Sequence, residues 1–325
     1  MRVKALLSLF VLSALSLSTQ ALAAQDVVRL GNLKFAHYGA VSYMKELAPK
    51  YRLKIEERMF AKGIDINPAI VAGEIDASAA ALDAAIAGRA AGVPIVVVAG
   101  FARGGARLVV RPDAGIASLK DLKGKKVGVA RGGAQELLLL AELAKAGLSW
   151  SDKPGKDVLV LYLPFADLNQ ALMARNIDAM CQSEPYSSQA IHKKFGVELL
   201  KPYDTPIGEP IRALVITEKL YRERRDVAQR FLLCFVEATK KFIDEPRTAE
   251  KFVREVMFKN QITPDDYQDA IGNSPFSYDI TLQHVQITTD LMAKYGVGKM
   301  ANPPKAGDWV KLDLLLEAKK QLKVK

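Results

Sequence analysis

The sequence predicts an α/β protein of two lobes joined by two crossings, with a helical C-terminal tail packed on the first lobe. Three observations lead there. The chain has 325 residues, which at roughly 150 per domain suggests about two domains. Strand-like and helix-like runs alternate from Val27 to Thr217, the pattern of mostly parallel sheets with crossover helices. Beyond Thr217 the periodicity is nearly all helical, and a tail that long needs an apolar surface to cover. A composition of 50% hydrophobic and 25% charged residues excludes a disordered chain, a collagen and a polytopic membrane protein.

At the N-terminus, Arg2 and Lys4 precede an apolar run from Ala5 to Leu17, then Thr19-Gln20 and Ala21-Leu22-Ala23-Ala24. A charged start, a short apolar stretch and small residues at an A-x-A-like site predict a secretory signal, residues 1–23, cleaved after Ala23. The apolar run is shorter than the ~20 residues of a membrane span, and no cysteine stands at the cleavage site to carry a lipid. The mature chain is therefore expected to be exported.

In the first lobe, Val27–Leu30 reads as a strand, and Val41, Met44, Leu47 and Ala48 fall on one helical face. Leu53–Phe60 alternates as a strand, Asn67–Gly73 is a short helix, Ile75–Leu82 a strand and Asp83–Ala91 a helix. Pro94–Ala99 is almost wholly apolar, as a strand covered on both faces should be. The pattern then restarts with Arg107–Val110 as a strand ending at Arg111-Pro112-Asp113, and Ser118–Gly124 as a short helix stopped by glycine. Strand Lys126–Ala130 leads through Arg131-Gly132-Gly133-Ala134 into a helix over Gln135–Ala146. Val158–Leu163, a helix over Ala166–Arg175, the strand Ile177–Gln182 and a helix over Pro185–Phe195 complete the second lobe.

Ile211–Thr217 is one more strand. Asp226 is expected to cap a helix bearing Val227, Phe231, Phe235, Val236 and Phe242, with further helices near 246–258, 264–271, 279–295 and 308–321. Crossings near Arg111 and Ile211 assign residues 24–111 and 212–325 to the first lobe and 112–211 to the second. Cys181 and Cys234, both in apolar contexts, are read as buried free thiols.

Net charge bears weakly on function. Lys and Arg exceed Asp and Glu by 46 − 36 = 10, and loss of Arg2 and Lys4 leaves 44 − 36 = 8. The basic residues are interspersed with acids, so no stripe for nucleic acid is predicted. No nucleophile elbow, zinc-protease helix, phosphate-binding loop, dinucleotide fingerprint or calcium loop is present. His37, His192 and His284 lie far apart in sequence and away from either cysteine, so neither a catalytic residue nor a metal nor a cofactor is expected.

The phrase Asp121-Leu122-Lys123-Gly124-Lys125-Lys126-Val127-Gly128-Val129, then Gly132-Gly133 opening a helix, stands out. Pro164-Phe165-Ala166-Asp167-Leu168-Asn169-Gln170-Ala171-Leu172 follows, then Ile177-Asp178-Ala179 and Ser183-Glu184-Pro185-Tyr186, with Ile75-Asp76-Ala77 as a matching phrase in the first lobe. In this order and spacing the chain resembles the periplasmic substrate-binding proteins of ABC importers, in the branch that includes nitrate, sulfonate, taurine and thiamine-pyrimidine binders. The resemblance spans essentially the whole mature chain. It implies a type II periplasmic binding fold whose lobes close by hinge bending on a small-molecule ligand. It also implies a monomer in the periplasm and an ABC permease of the inner membrane as partner.

Ligands of open α/β sheets bind beyond the carboxyl ends of strands, which directs attention to the turns there. Arg131, Gly132, Gly133 and Ala134 are the strongest candidates: two glycines permit close backbone approach, the following helix offers N–H groups to an anion, and Arg131 adds a charge. The competing reading has Gly132-Gly133 merely turning the chain, with Glu136 satisfying the helix end. Arg103 is expected to face Arg131 across the cleft. Tyr38, Phe165 and Tyr186 are candidate walls, His37 is a candidate contact in the loop after a strand, and Asp83 and Glu184 are candidates to hydrogen-bond an amine, cap helices or dock the permease. The expected ligand is a small organic anion such as a sulfonate or carboxylate, the alternative a neutral heterocycle such as a thiamine pyrimidine precursor or riboflavin. A thiamine-pyrimidine-synthase-like enzyme shares the fold, but this chain lacks that group's C-C-C-F-C cluster. A sensor module would use the same cleft.

Overall fold

The computed structural model describes residues 25–324, so the expected signal peptide lies outside the described residues. Its strands form two sheets. The first contains β1 (Asp26–Leu33), β2 (Leu53–Phe60), β3 (Ala77–Ala81), β4 (Ile95–Arg103) and, arriving last in the chain, β11 (Ile211–Thr217), in the order β2-β1-β3-β11-β4. The second is ordered β10-β5-β9-β6-β8-β7, from β5 (Ala106–Val110), β6 (Lys126–Val129), β7 (Trp150–Ser151), β8 (Val158–Tyr162), β9 (Ala179–Ser183) and β10 (Val197–Leu200). Parallel pairs with crossover helices make up two of the four pairings in the first sheet and three of the five in the second; β11 runs antiparallel to both β3 and β4, and β5 antiparallel to both β9 and β10.

One expected assignment is corrected. Arg107–Val110 was expected at the end of the first lobe, but β5 is hydrogen-bonded between β9 and β10 in the second sheet. The chain leaves the first sheet at Gly104-Gly105, not near Arg111. Both glycines have positive φ, 64° and 82°, and a Cβ on Gly104 would lie 2.2 Å from the Asn273 carbonyl oxygen, so only glycine fits this crossing. The short strands β7 and β10 were not expected.

The tail covers the first sheet for a physical reason: β4 has an unpaired edge. Tyr278 O accepts from Gly100 N at 3.1 Å, Pro275 O from Arg103 N at 3.2 Å, and Val97 O from Lys311 N at 2.8 Å, so two tail segments close that edge. The long helix Arg225–Asp244 buries Phe231, Leu232, Cys234, Phe235 and Phe242. Asp226 lies in its first turn and does not cap it; Thr217 instead caps an additional helix, Glu218–Glu223, by accepting from Leu220 N. The region expected as one helix over 308–321 is two, Ala306–Trp309 and Asp313–Gln321.

Helix Pro264–Asn273 ties the two sheets together. Tyr267 and Ala270 join a core with Ala36, Ala40 and Phe242, on the first sheet's side. Its other face receives His192 on Asp266 at 2.8 Å and Arg107 on Asp269 at 2.6 Å, both from second-sheet elements. Cys181 and Cys234 are buried and unbridged, with burial holding both thiols protonated.

Candidate functional site

The carboxyl ends of β1, β3, β6, β8 and β9 converge on a narrow cavity of about 20 Å3. The turn after β1 contributes Leu33, Phe35, His37 and Tyr38; Lys62 and Gly63 come from the loop after β2, and Ala81 and Ala84 from the β3 end and the helix Leu82–Ala90. The second sheet adds Gly132, Gly133 and Gln135 after β6, Phe165 after β8 and Ser183 at the end of β9. Local sequence explains the fit. The alanines of β3 admit Gly63, whose Cβ would lie only 3.1 Å from Ala80 and Ala84 Cβ, and Gly133 accepts the Phe165 ring, 3.3 Å from where a Cβ would stand.

Arg212, on β11, is the most consequential residue of this cavity. It is 2% exposed, yet among the described residues no carboxylate lies within ion-pair distance of it. Its Nη2 donates to Gly104 O at 3.0 Å and its Nε to His37 Nε2 at 3.2 Å, while Nη1 has no partner. Because His37 Nε2 accepts from a guanidinium, the imidazole proton belongs on Nδ1, which is itself buried and without a partner. Burial, aided by the Arg212 charge, holds the His37 pKa well below the ordinary imidazole range, so the ring is neutral. A fixed positive charge and a neutral N–H donor therefore face the same small volume with unspent donor capacity. Since guanidinium does not deprotonate and a buried unpaired charge is costly, the arrangement favours an anion.

Gln135 Nε2 and Ser183 Oγ make only long contacts to Gly105 O, 3.5 and 3.4 Å, and are available to a ligand. Tyr38 is buried against Phe101, and burial raises its phenol pKa. Among the described residues, no acid lines the cavity. At its mouth Phe35, from the first sheet, meets Phe165 edge-on at 5.2 Å and Tyr186 at 5.9 Å, both from the second.

Several expected placements differ. Gly132 N donates to Glu136 Oε2 at 2.6 Å, so the chain's own carboxylate occupies that N–H of the expected anion cradle. Arg131 is half exposed, stacked 3.6 Å over the Tyr162 ring and 3.2 Å from Asp152, and lines an outer chamber of about 300 Å3 with Lys62, Tyr162, Pro164 and Phe165. Lys62 and Phe165 border both chambers. Arg103 does not face Arg131; it lies half exposed beside Glu209 at 3.9 Å. Glu184 is consumed by Arg107 at 2.6 Å, Ser188 and Asn273. Asp83 and Ala134 line a third cavity behind the first, and Tyr186 borders the aromatic contact without lining the inner cavity. His37, Tyr38, Gly132, Gly133 and Phe165 do line it.

Sequence reasoning missed Arg212 and Lys62, while Gln135 and Ser183 fall in strand-end turns that it marks without giving either residue a role. A signal for Arg212 was present: a lone charge inside the otherwise apolar strand Ile211-Arg212-Ala213-Leu214-Val215-Ile216.

Residues 25–256 match the model of the NMT1-like family. A Brachyspira hyodysenteriae protein named as an ABC transporter periplasmic binding protein is 24% identical over 292 residues, 82% of this chain and 82% of the relative. An Escherichia coli protein named as an aliphatic sulfonates-binding protein is 31% identical over 195 residues, 58% of this chain and 59% of the relative. Among solved structures, the alkanesulfonate-binding protein SsuA from Xanthomonas axonopodis pv. citri bound to MOPS superposes with a TM-score of 0.75 at 19% identity, over 89% of this chain and 99% of that one. The fold is thus the expected periplasmic binding fold.

Proposed function

The chain belongs to the NMT1-like family, and from that premise we propose that it captures a small organic anion between its two sheets and delivers it to an ABC permease in the inner membrane. Its relatives are transport binding proteins, two of them named for sulfonates. One observation carries the choice of an anion: the buried Arg212 has no carboxylate partner and a free Nη1, beside the free Nδ1–H of His37. A sulfonate or carboxylate head accepts from both, with Ser183 and Gln135 turning toward it, while the organic body passes Phe165 toward Lys62 and Arg131 in the outer chamber. The division of labour is that Arg212 sets affinity for the head and the outer chamber grades the tail. Binding without turnover is the reading consistent with a cavity whose histidine is held neutral and already spent on Arg212.

A thermal-shift screen of ethanesulfonate, taurine, acetate, nitrate, a hydroxymethylpyrimidine and riboflavin tests it. Organic anions are expected to raise the melting temperature, and the neutral heterocycles are not. For the best anion, Arg212→Gln is expected to weaken binding by about 1.5–3 kcal/mol, roughly ten- to a hundredfold, by calorimetry. Arg131→Ala, whose cation is already stacked and paired, is expected to change ethanesulfonate affinity less than about threefold. Tight binding of riboflavin or a pyrimidine, indifferent to Arg212, would replace the anion with a heterocycle.

A further inference from the structure

Asp83 is a buried carboxyl that the ligand reading leaves unused. It sits in the first turn of helix Leu82–Ala90, 2% exposed, and neither of its oxygens has a hydrogen-bond partner. It borders a water-sized cavity of about 10 Å3 walled by Leu82, Leu137, Leu138, Ile211 and His284, next to the cavity that Arg212 lines. The sheet register brings it close to Arg212: Arg212 pairs with Ala81, two residues before Asp83. A buried carboxyl at the start of a helix and a buried guanidinium on the strand beside it, each without an ion-pair partner, thus stand at one small site.

Resting on the reading of Arg212 as the anion's partner, we infer that anion capture is coupled to proton uptake at Asp83. In the empty site the Asp83 carboxylate is the distant counter-charge of Arg212; when an anion settles on Arg212 it cancels that field, and Asp83 takes one proton from solvent to become a neutral carboxylic acid. The coupling is reciprocal, so protonation of Asp83 tightens anion binding by the factor by which the anion favours protonation. Burial raises the Asp83 carboxyl to about 7, opposed first by the Arg212 charge, while Glu136 pushes it further up. A group balanced there responds to a charge arriving at Arg212 near neutral pH.

The groups facing Asp83 can be named. Arg212 comes from β11, Glu136 from the helix Ala134–Lys145, His284 from the helix Leu282–Tyr295 and Tyr38 from the turn after β1. His284 is held below its ordinary pKa by burial and is neutral when Asp83 titrates. On its own helix Arg89 is paired with Glu218 at 2.6 Å; Asp65, Arg103 and Lys299, on the other elements packed there, are exposed.

The carboxyl 13C shift of Asp83 in aspartate-labelled protein is titrated for the free chain, with saturating ethanesulfonate, and for Arg212→Gln. A near-neutral midpoint is expected in the free chain, moving up by at least about one unit with ethanesulfonate and also in Arg212→Gln. Calorimetry of ethanesulfonate is then expected to show proton uptake that varies with buffer ionisation enthalpy, and affinity falling about tenfold from pH 6 to pH 8.5, flat in Asp83→Asn. A midpoint in the ordinary carboxylate range, or one that moves neither with ethanesulfonate nor with Arg212→Gln, overturns the coupling. If ethanesulfonate does not bind while Arg212→Gln still shifts Asp83, the coupling stands and the ligand class falls. Should Arg212→Gln fail to fold, the ethanesulfonate-driven shift and the Asp83→Asn comparison decide.

Discussion

At the scale of single residues, the site is made by groups denied their usual partners. Arg212 and Asp83 are each buried without a salt bridge, and His37 is spent on one side and free on the other. Such groups store free energy that a ligand can release, and they leave a signature in stability. The native Asp83 holds its proton up to about pH 7, whereas in the unfolded chain it loses it near the ordinary carboxylate value. Between those two values the native state binds more protons, so this group lowers stability as pH rises from about 4 to about 7, and above that its penalty is constant. Asp83→Asn is expected to remove the slope: urea midpoints of variant and wild type should draw apart, in the variant's favour, by a few kcal/mol between pH 4.5 and pH 8, at ~1.4 kcal/mol per unit of displaced pKa. An equal difference at both pH values would mean that Asp83 is ionised throughout. The sequence reading located Gly132, Gly133, His37, Tyr38 and Phe165 because strand-end turns are marked by glycine and proline punctuation. It missed Arg212 because a charge within a strand carries no turn signal; the lone charge in an apolar run was legible, and its burial gives that charge its meaning.

At the scale of elements, the strands were legible where burial made them continuously apolar, as in β4, and the helices where one face was apolar, as in Arg225–Asp244. Which sheet a strand joins was not. β5 reads as Arg107-Leu108-Val109-Val110 in either sheet, and its place is set by hydrogen bonds to β9 and β10 that sequence periodicity does not encode. The crossing that decides it, Gly104-Gly105, is visible as a glycine pair, but its need for glycine comes from the tail. Asn273 O lies where a Gly104 side chain would go, whereas Gly208, equally left-handed at φ 63°, has open space around it. Gly208→Ala is therefore expected to cost only the left-handed backbone term, about 1 kcal/mol, and Gly104→Ala that term plus displacement of the tail, at least about 3 kcal/mol, by chemical denaturation. Equal losses would mean that the tail yields freely at the crossing.

At the scale of the whole molecule, the two sheets touch across the cavity mouth through aromatic rings. Phe35 packs edge-on against Phe165 at 5.2 Å and lies 5.9 Å from Tyr186, and Phe165 borders both the inner and the outer chamber. On the proposed reading, a ligand that reaches Arg212 parts that contact and is then held by its re-forming. The contact therefore belongs to the barrier for release more than to the recognition of the head group, and its loss should divide unequally between rates. Phe165→Ala removes the ring without touching Arg212 or His37 and widens the passage between the inner and outer chambers. Stopped-flow measurements with the best anion of the screen are expected to show dissociation faster by about tenfold, the worth of an aromatic contact of ~1.5 kcal/mol, with association changed less than about threefold. Solution scattering on the same samples should show wild type and variant compacting alike on saturation, because the ligand still draws both sheets onto itself. If instead association slows and dissociation is unchanged, Phe165 guides entry and the ligand is retained by Arg212 and His37 alone.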